Sequence, residues 1–106
     1  MAEPGFTLKS STTGGRLEVA GELDLAASST LRAALAELAD GGGDVMLDLS
    51  AVTFIDSTAL SVLVHRHTEM AAAGGRLMVT NPSRVVVRIL QLAGLFTLLD
   101  IEGRAE

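Results

Sequence analysis

An acid and two hydroxyls stand together at Asp56-Ser57-Thr58, inside the stretch Phe54-Ile55-Asp56-Ser57-Thr58-Ala59-Leu60. An apolar run, Val45-Met46-Leu47-Asp48-Leu49, ends shortly before it, and an apolar, helix-like run begins inside it at Leu60 and continues to Met70. At the start of a helix such residues serve as caps, because Asp, Ser and Thr oxygens accept hydrogen bonds from the orphan amides of the first turn. The same free N–H groups and the positive end of the helix dipole also tolerate an anion. With Asp56 as the cap, Ser57 falls at the first helical position and can turn its hydroxyl to solvent, where it can accept a phosphoryl group. Thr58 is a second acceptor of the same kind.

Other chemistry finds less support. A nucleophilic serine needs an adjacent base and an oxyanion site, and the Gly-x-Ser-x-Gly elbow is absent. His65 lies ~12 Å further along the axis of the same helix, out of reach of Ser57. His67 falls on the apolar stripe, the place of a packed or boundary histidine. The two histidines point about 200° apart, and the chain has no cysteine, so no metal site, cofactor or catalytic role is expected. Gly41-Gly42-Gly43 precedes a strand, whereas a phosphate loop follows one and carries Gly-Lys-Ser/Thr.

The elements that position this junction follow from periodicity and punctuation. Residues 1–5 read as a loose leader. Residues 6–10 alternate as a short edge strand, Gly14-Gly15 marks a turn, and residues 16–21 alternate again, which suggests a hairpin. Residues 21–25 are a connector, with Ser28 or Ser29 capping a helix over 28–39 whose stripe is Leu31, Ala34, Leu35 and Leu38. Asp40 and the three glycines stop it. A third strand covers 44–50, with Val45, Leu47 and Leu49 on one face and Met46 on the other. The second helix covers about 57–73, a fourth strand 76–80, and Asn81-Pro82-Ser83 starts a third helix over about 83–93. That helix buries Val86, Ile89, Leu90 and Ala93 and keeps Arg84 and Arg88 outside. A last strand covers 96–101, and 102–106 is a polar tail. The order ββαβαβαβ predicts parallel pairing in its second half, with right-handed crossovers.

Composition narrows the partners. At 106 residues and 48% hydrophobic, the chain makes one domain with a real core. A net charge of −5, with Lys and Arg scattered, argues against nucleic acid. With no Trp or Tyr and three Phe, there is no base-stacking platform. Residues 1–5 have no basic or apolar region, so no signal peptide is expected, and no run reaches the ~18 apolar residues of a spanning helix. The expectation is a cytoplasmic protein with no membrane contact.

Five pieces in order now carry a resemblance: Gly21-Glu22-Leu23-Asp24, Leu47-Asp48-Leu49-Ser50, Phe54 to Leu60, Gly74-Gly75 and Leu92-Ala93-Gly94-Leu95. The chain resembles the STAS domains, most closely the bacterial anti-sigma factor antagonists, over nearly its whole length. The resemblance implies one α/β domain over residues 1–106, with a mixed sheet of about five strands and helices mainly on one face. It implies a transcription regulator of the partner-switching, stress-response kind. The unphosphorylated form binds an anti-sigma factor with GHKL-type serine kinase activity and frees the sigma factor. Phosphorylation by that kinase abolishes binding, and a PP2C-type phosphatase reverses it. Carried onto this chain, the acceptor is Ser57, with Thr58 the alternative. Glu22, Asp24, Asp56, Ser57, Thr58, Ala59 and Leu60 form the partner-binding surface. Many members have Gly-Leu-Gly after the hydroxyl pair; this chain has Ala59-Leu60-Ser61. The alternative duty is a STAS scaffold or stress-sensing module without phosphorylation.

Overall fold

A computed structural model describes residues 5–10, 15–40 and 43–103. Residues 1–4 of the leader, Gly14, Gly41-Gly42 and the last three tail residues lie outside the described residues. The elements are β1 (Phe6–Ser10), β2 (Arg16–Leu23), α1 (Leu25–Asp40), β3 (Val45–Ile55), α2 (Ser57–Ala72), β4 (Leu77–Thr80), α3 (Arg84–Leu92) and β5 (Asp100–Glu102). This is the expected ββαβαβαβ order. They build one five-stranded sheet of order β1-β2-β3-β4-β5, antiparallel between β1 and β2 and parallel thereafter.

Each crossover steps one strand in the same direction. A common hand therefore delivers all three helices to one face. Their buried side chains, among them Ala27, Leu31, Leu35, Leu63, Val86 and Leu90, form one continuous cluster with Leu17, Val19, Leu47, Leu49, Leu77 and Val79 of the strands. Each fully buried aliphatic side chain contributes about 1.5–3 kcal/mol. Met70 takes the inward place on α2 while Ala71 is exposed, and Ala93 is exposed at the end of α3. The opposite sheet face carries the register pairs Met46↔Met78 and Asp48↔Thr80. There Asp48 is buried, accepts from Arg16 at 2.8 Å and holds the Ser50 amide at 2.9 Å, which accounts for an acid inside an otherwise apolar strand. Arg76 bonds Asp100 on the same face, and that hydrogen bond raises the arginine pKa from its ordinary value.

Three boundaries differ from the sequence reading, each for a long-range reason. Helix α1 begins at Leu25, not at residue 28, because β2 continues to Leu23 and leaves Asp24 at the junction. Asp24 Oδ1 accepts from the Ala26 and Ala27 amides at 3.1 and 3.3 Å, so Asp24 and not Ser28 or Ser29 caps the helix. Ser28 lies buried inside it, its hydroxyl donating to the Leu25 carbonyl at 2.8 Å. Strand β3 runs on through Ile55, because β2 pairs with it as far as Leu23↔Ile55. The last strand is only Asp100–Glu102, and the preceding apolar run from Phe96 folds as turns that deliver Leu99 to the core.

Candidate partner-binding site

Parallel pairing brings the C-terminal ends of β2 and β3 to one edge of the sheet, where open α/β sheets present their functional groups. The register sets Glu22 beside Phe54 and Leu23 beside Ile55. The Asp56 amide donates to the Leu23 carbonyl at 3.0 Å, which ties the junction before α2 to the junction before α1. The two helices therefore start side by side, each capped by an aspartate, and pack against each other. Asp56 has extended backbone (φ −102°, ψ 178°), and its Oδ1 accepts from the Ala59 amide at 3.0 Å. Its carbonyl accepts from the Leu60 amide at 2.9 Å.

Ser57 follows as the first residue of α2 and is exposed. Its carbonyl accepts from the Ser61 hydroxyl at 2.9 Å, so Ser61 serves the helix's first turn. Thr58 is half-buried. Ala59 is wholly buried and Leu60 nearly so, and both belong to the core cluster. Of the residues the sequence assigned to this surface, Glu22, Asp24, Asp56, Ser57 and Thr58 thus gather at the rim. Ala59 and Leu60 anchor the helix beneath it. The methyl that Ala59 adds over the usual glycine points into the core.

The rim is acidic. Neither residues 20–25 nor 53–61 include a Lys or Arg. Glu22, Asp24 and Asp56 enter no ion pair among the described residues. No group of three His, Asp or Glu among the described residues is placed to hold a metal ion. His65 reaches Glu69 at 3.3 Å, and His67 Nδ1 is buried without a hydrogen-bond partner among the described residues, so neither approaches Ser57.

Sequence reasoning missed two residues here. Leu25 is 71% exposed in the first turn of α1, and Phe54 is 45% exposed at the end of β3. The signal was the Phe54-Ile55 pair: neighbours on a strand point to opposite faces, so with Ile55 inside, Phe54 turns out.

The cap sets a stability prediction. Asp56→Ala removes the acceptor for the Ala59 amide and is expected to cost about 1 kcal/mol. In a chain of this size that lowers the melting temperature by about 4–8 °C. Thermal denaturation followed by circular dichroism checks it, and an unchanged midpoint would mean that Ser57 or Thr58 takes over the cap.

The chain matches the STAS domain model over residues 9–104. It is 33% identical over 91 residues to the anti-sigma-B factor antagonist of Bacillus subtilis (strain 168), covering 86% of this chain and 84% of that protein. The fold matches the solved structure of the anti-sigma factor antagonist SpoIIAA in its unphosphorylated form with a TM-score of 0.71 and 26% identity, covering 95% of this chain and 88% of that one. It matches the Bacillus cell fate determinant SpoIIAA in the phosphorylated form with a TM-score of 0.67 and 25% identity, covering 95% and 91%. Anti-sigma factor antagonists are non-enzymatic regulators. On motif order, fold and these matches together, the chain belongs to the STAS domain family, among the anti-sigma factor antagonists.

Proposed function

We propose that this chain, with Ser57 unmodified, binds an anti-sigma factor that is also a GHKL-type serine kinase and so releases a sigma factor. Phosphorylation of Ser57 by that kinase ends the complex, and a PP2C-type phosphatase restores it. The exchange takes place in the cytoplasm. The observation that carries this reading is the exposed Ser57 hydroxyl at the first position of α2, directly after the capping Asp56. The family supports the partner class, since relatives are named antagonists of anti-sigma factors and SpoIIAA exists in both unphosphorylated and phosphorylated forms. Exposure favours Ser57 over the half-buried Thr58. A phosphate there meets the free amides of the first turn and the positive end of the helix dipole.

The test is incubation with ATP and each GHKL-type kinase of the same genome, followed by mapping of the phosphosite. One phosphate on Ser57, lost in Ser57→Ala, is expected. A phosphate that persists in Ser57→Ala moves the acceptor to Thr58. No phosphate with any of these kinases leaves the domain an interaction scaffold.

A further inference from the structure

Across the described residues, the large apolar side chains left substantially exposed are Leu25, Phe54, Val85, Leu92 and Leu98. Two of the five stand at the acidic rim. Phe54 is in register with Glu22, and Leu25 directly follows the capping Asp24. Phe6 and Phe96 are partly buried against the core, so Phe54 is the phenylalanine the fold leaves outside. Folding does not account for either position. Leu25 needs no side chain for α1 to start, because Asp24 supplies the cap, and Ile55 supplies the inward anchor at the end of β3.

We infer that Leu25 and Phe54 are the two apolar anchors of the partner interface, flanking Glu22, Asp24, Asp56 and Ser57. This rests on the function proposed above and names what that surface recognises. Two aspartate-capped helix starts lie side by side, and Phe54 stands beside Glu22 two residues before Asp56, so Leu25, Phe54 and Ser57 gather at the same end of the sheet. Protein interfaces draw most of their affinity from a few large side chains that lose all contact with water, ringed by polar groups. Here the polar ring is made of carboxylates that enter no ion pair among the described residues, with no cation among residues 20–25 or 53–61. The complementary partner is the anti-sigma kinase, presenting an apolar pocket bordered by Lys or Arg. The division of labour follows from the chemistry. The anchors supply affinity that does not depend on phosphorylation. The carboxylates steer association and align the kinase. Ser57, at the same end of the sheet, is where added charge breaks the seal.

The anchors and the charges differ in their response to salt. Burial of apolar area is not screened, whereas charge effects weaken beyond a Debye length of about 10 Å at 0.1 M ionic strength and about 3 Å at 1 M. Binding of the full chain to each purified GHKL-type kinase of the same genome is measured by calorimetric titration at about 0.1 M and about 0.5 M salt. Leu25→Ser and Phe54→Ser are each expected to weaken binding about tenfold, and the pair about hundredfold, equally at both salt concentrations. Leu92→Ser, on the far end of α3 and 79% exposed, is expected to bind within about twofold of the wild type. Melting curves show that each variant is folded, and Leu25→Met and Phe54→Leu are expected to restore most of the affinity. Variants Leu25→Ser and Phe54→Ser that both bind within about threefold of the wild type overturn the inference. So does a loss that disappears at the higher salt, or one that Leu92→Ser shares. A folded wild type that binds none of these kinases overturns the proposed function itself, and the anchors with it.

Discussion

Ser57→Asp is expected to bind the anti-sigma kinase about hundredfold more weakly than the wild type, while Ser57→Ala binds constitutively and within about threefold of it. Ser57 meets different environments in the free and the docked domain. On the free domain, Ser57 is exposed beside Asp56. Two unit charges ~6 Å apart in water repel by about 0.7 kcal/mol. The N-terminus of α2 returns roughly 0.3–1 kcal/mol to a negative group placed there. The two effects nearly cancel, so the variant folds and melts close to the wild type. In a docked interface the same pair loses water. At an effective dielectric of ~20 the repulsion grows to about 2.8 kcal/mol, which is two decades of affinity at 1.4 kcal/mol each. A phosphate, at about −1.5 to −2 charges, does more than the aspartate. The proposed switch therefore needs only local electrostatics, and refolding is not required. Calorimetric titration of the three proteins reads the affinities. Amide spectra of the phosphorylated and unmodified domains test locality: changes confined to the starts of α1 and α2 and the ends of β2 and β3 are expected. Changes spread through β4 and α3 would sink it, as would an unweakened Ser57→Asp.

How far the sequence alone discloses this arrangement depends on the range of the interaction in question. Alternation of strands and helices is a local pattern, and all eight elements were legible from it. So was the Asp56 cap, because acid, hydroxyl and apolar run lie within one turn of helix. The misread boundaries all depend on partners distant in the chain. Nothing within residues 50–55 says that β3 should continue past Ser50. It continues because Ala20, Gly21, Glu22 and Leu23 arrive alongside, with register shifts that absorb the irregularity. Likewise Asp24, Ser28 and Ser29 are equal candidates for a cap by local chemistry. Asp24 wins because β2 ends one residue before it. The run from Phe96 to Leu99 was read as strand from its apolar content. Apolar content reports burial, not conformation, and Leu99 satisfies it from a turn.

The site divides the same way. Asp56 and Ser57 were visible as types in a spacing, whereas Glu22 and Asp24 came from the family resemblance alone. The resemblance assigns Ala59 and Leu60 to the partner-binding surface, and they instead lie buried, because α2 must bury one face and these two fall on it. What no window displays is that the Asp24 and Asp56 junctions are neighbours. That follows from parallel pairing of β2 and β3 and from the Asp56 amide on the Leu23 carbonyl. Adjacency turns two ordinary helix caps into one surface, and it brings Leu25 and Phe54, each next to one of those junctions, to the same end of the sheet.

A methyl group on Gly21 is expected to destabilise the fold by about 3 kcal/mol, lowering the melting temperature by about 12–24 °C. Gly21 begins the Gly-Glu-Leu-Asp piece and has φ +93°, a conformation that L side chains rarely adopt. Strain is the smaller part. A Cβ here would stand 2.1 Å from the Gly5 carbonyl oxygen and 2.9 Å from Phe6 Cα. Both are backbone atoms, so no rotamer change relieves the contact. The Gly5 carbonyl accepts from the Glu22 amide at 2.7 Å, and Gly21 is the register partner of Phe6. Edge strand β1 would have to move away, taking Phe6 off the core and releasing the Glu22 backbone. Gly94→Ala separates the two contributions. Gly94 has φ +73° with open space where its Cβ would go, so it carries the conformational strain alone. That substitution is expected to cost only about 1 kcal/mol, or about 4–8 °C. Equal shifts for the two variants would mean that β1 yields freely and the steric argument is wrong. With the expected inequality, Gly21 has a role in the site as well as in the fold. It lets the chain entering β1 lie close enough for the Gly5 carbonyl to hold the Glu22 amide, on the proposed partner-binding rim. Gly21→Ala should therefore lose partner affinity even below its melting temperature, whereas Gly94→Ala should not.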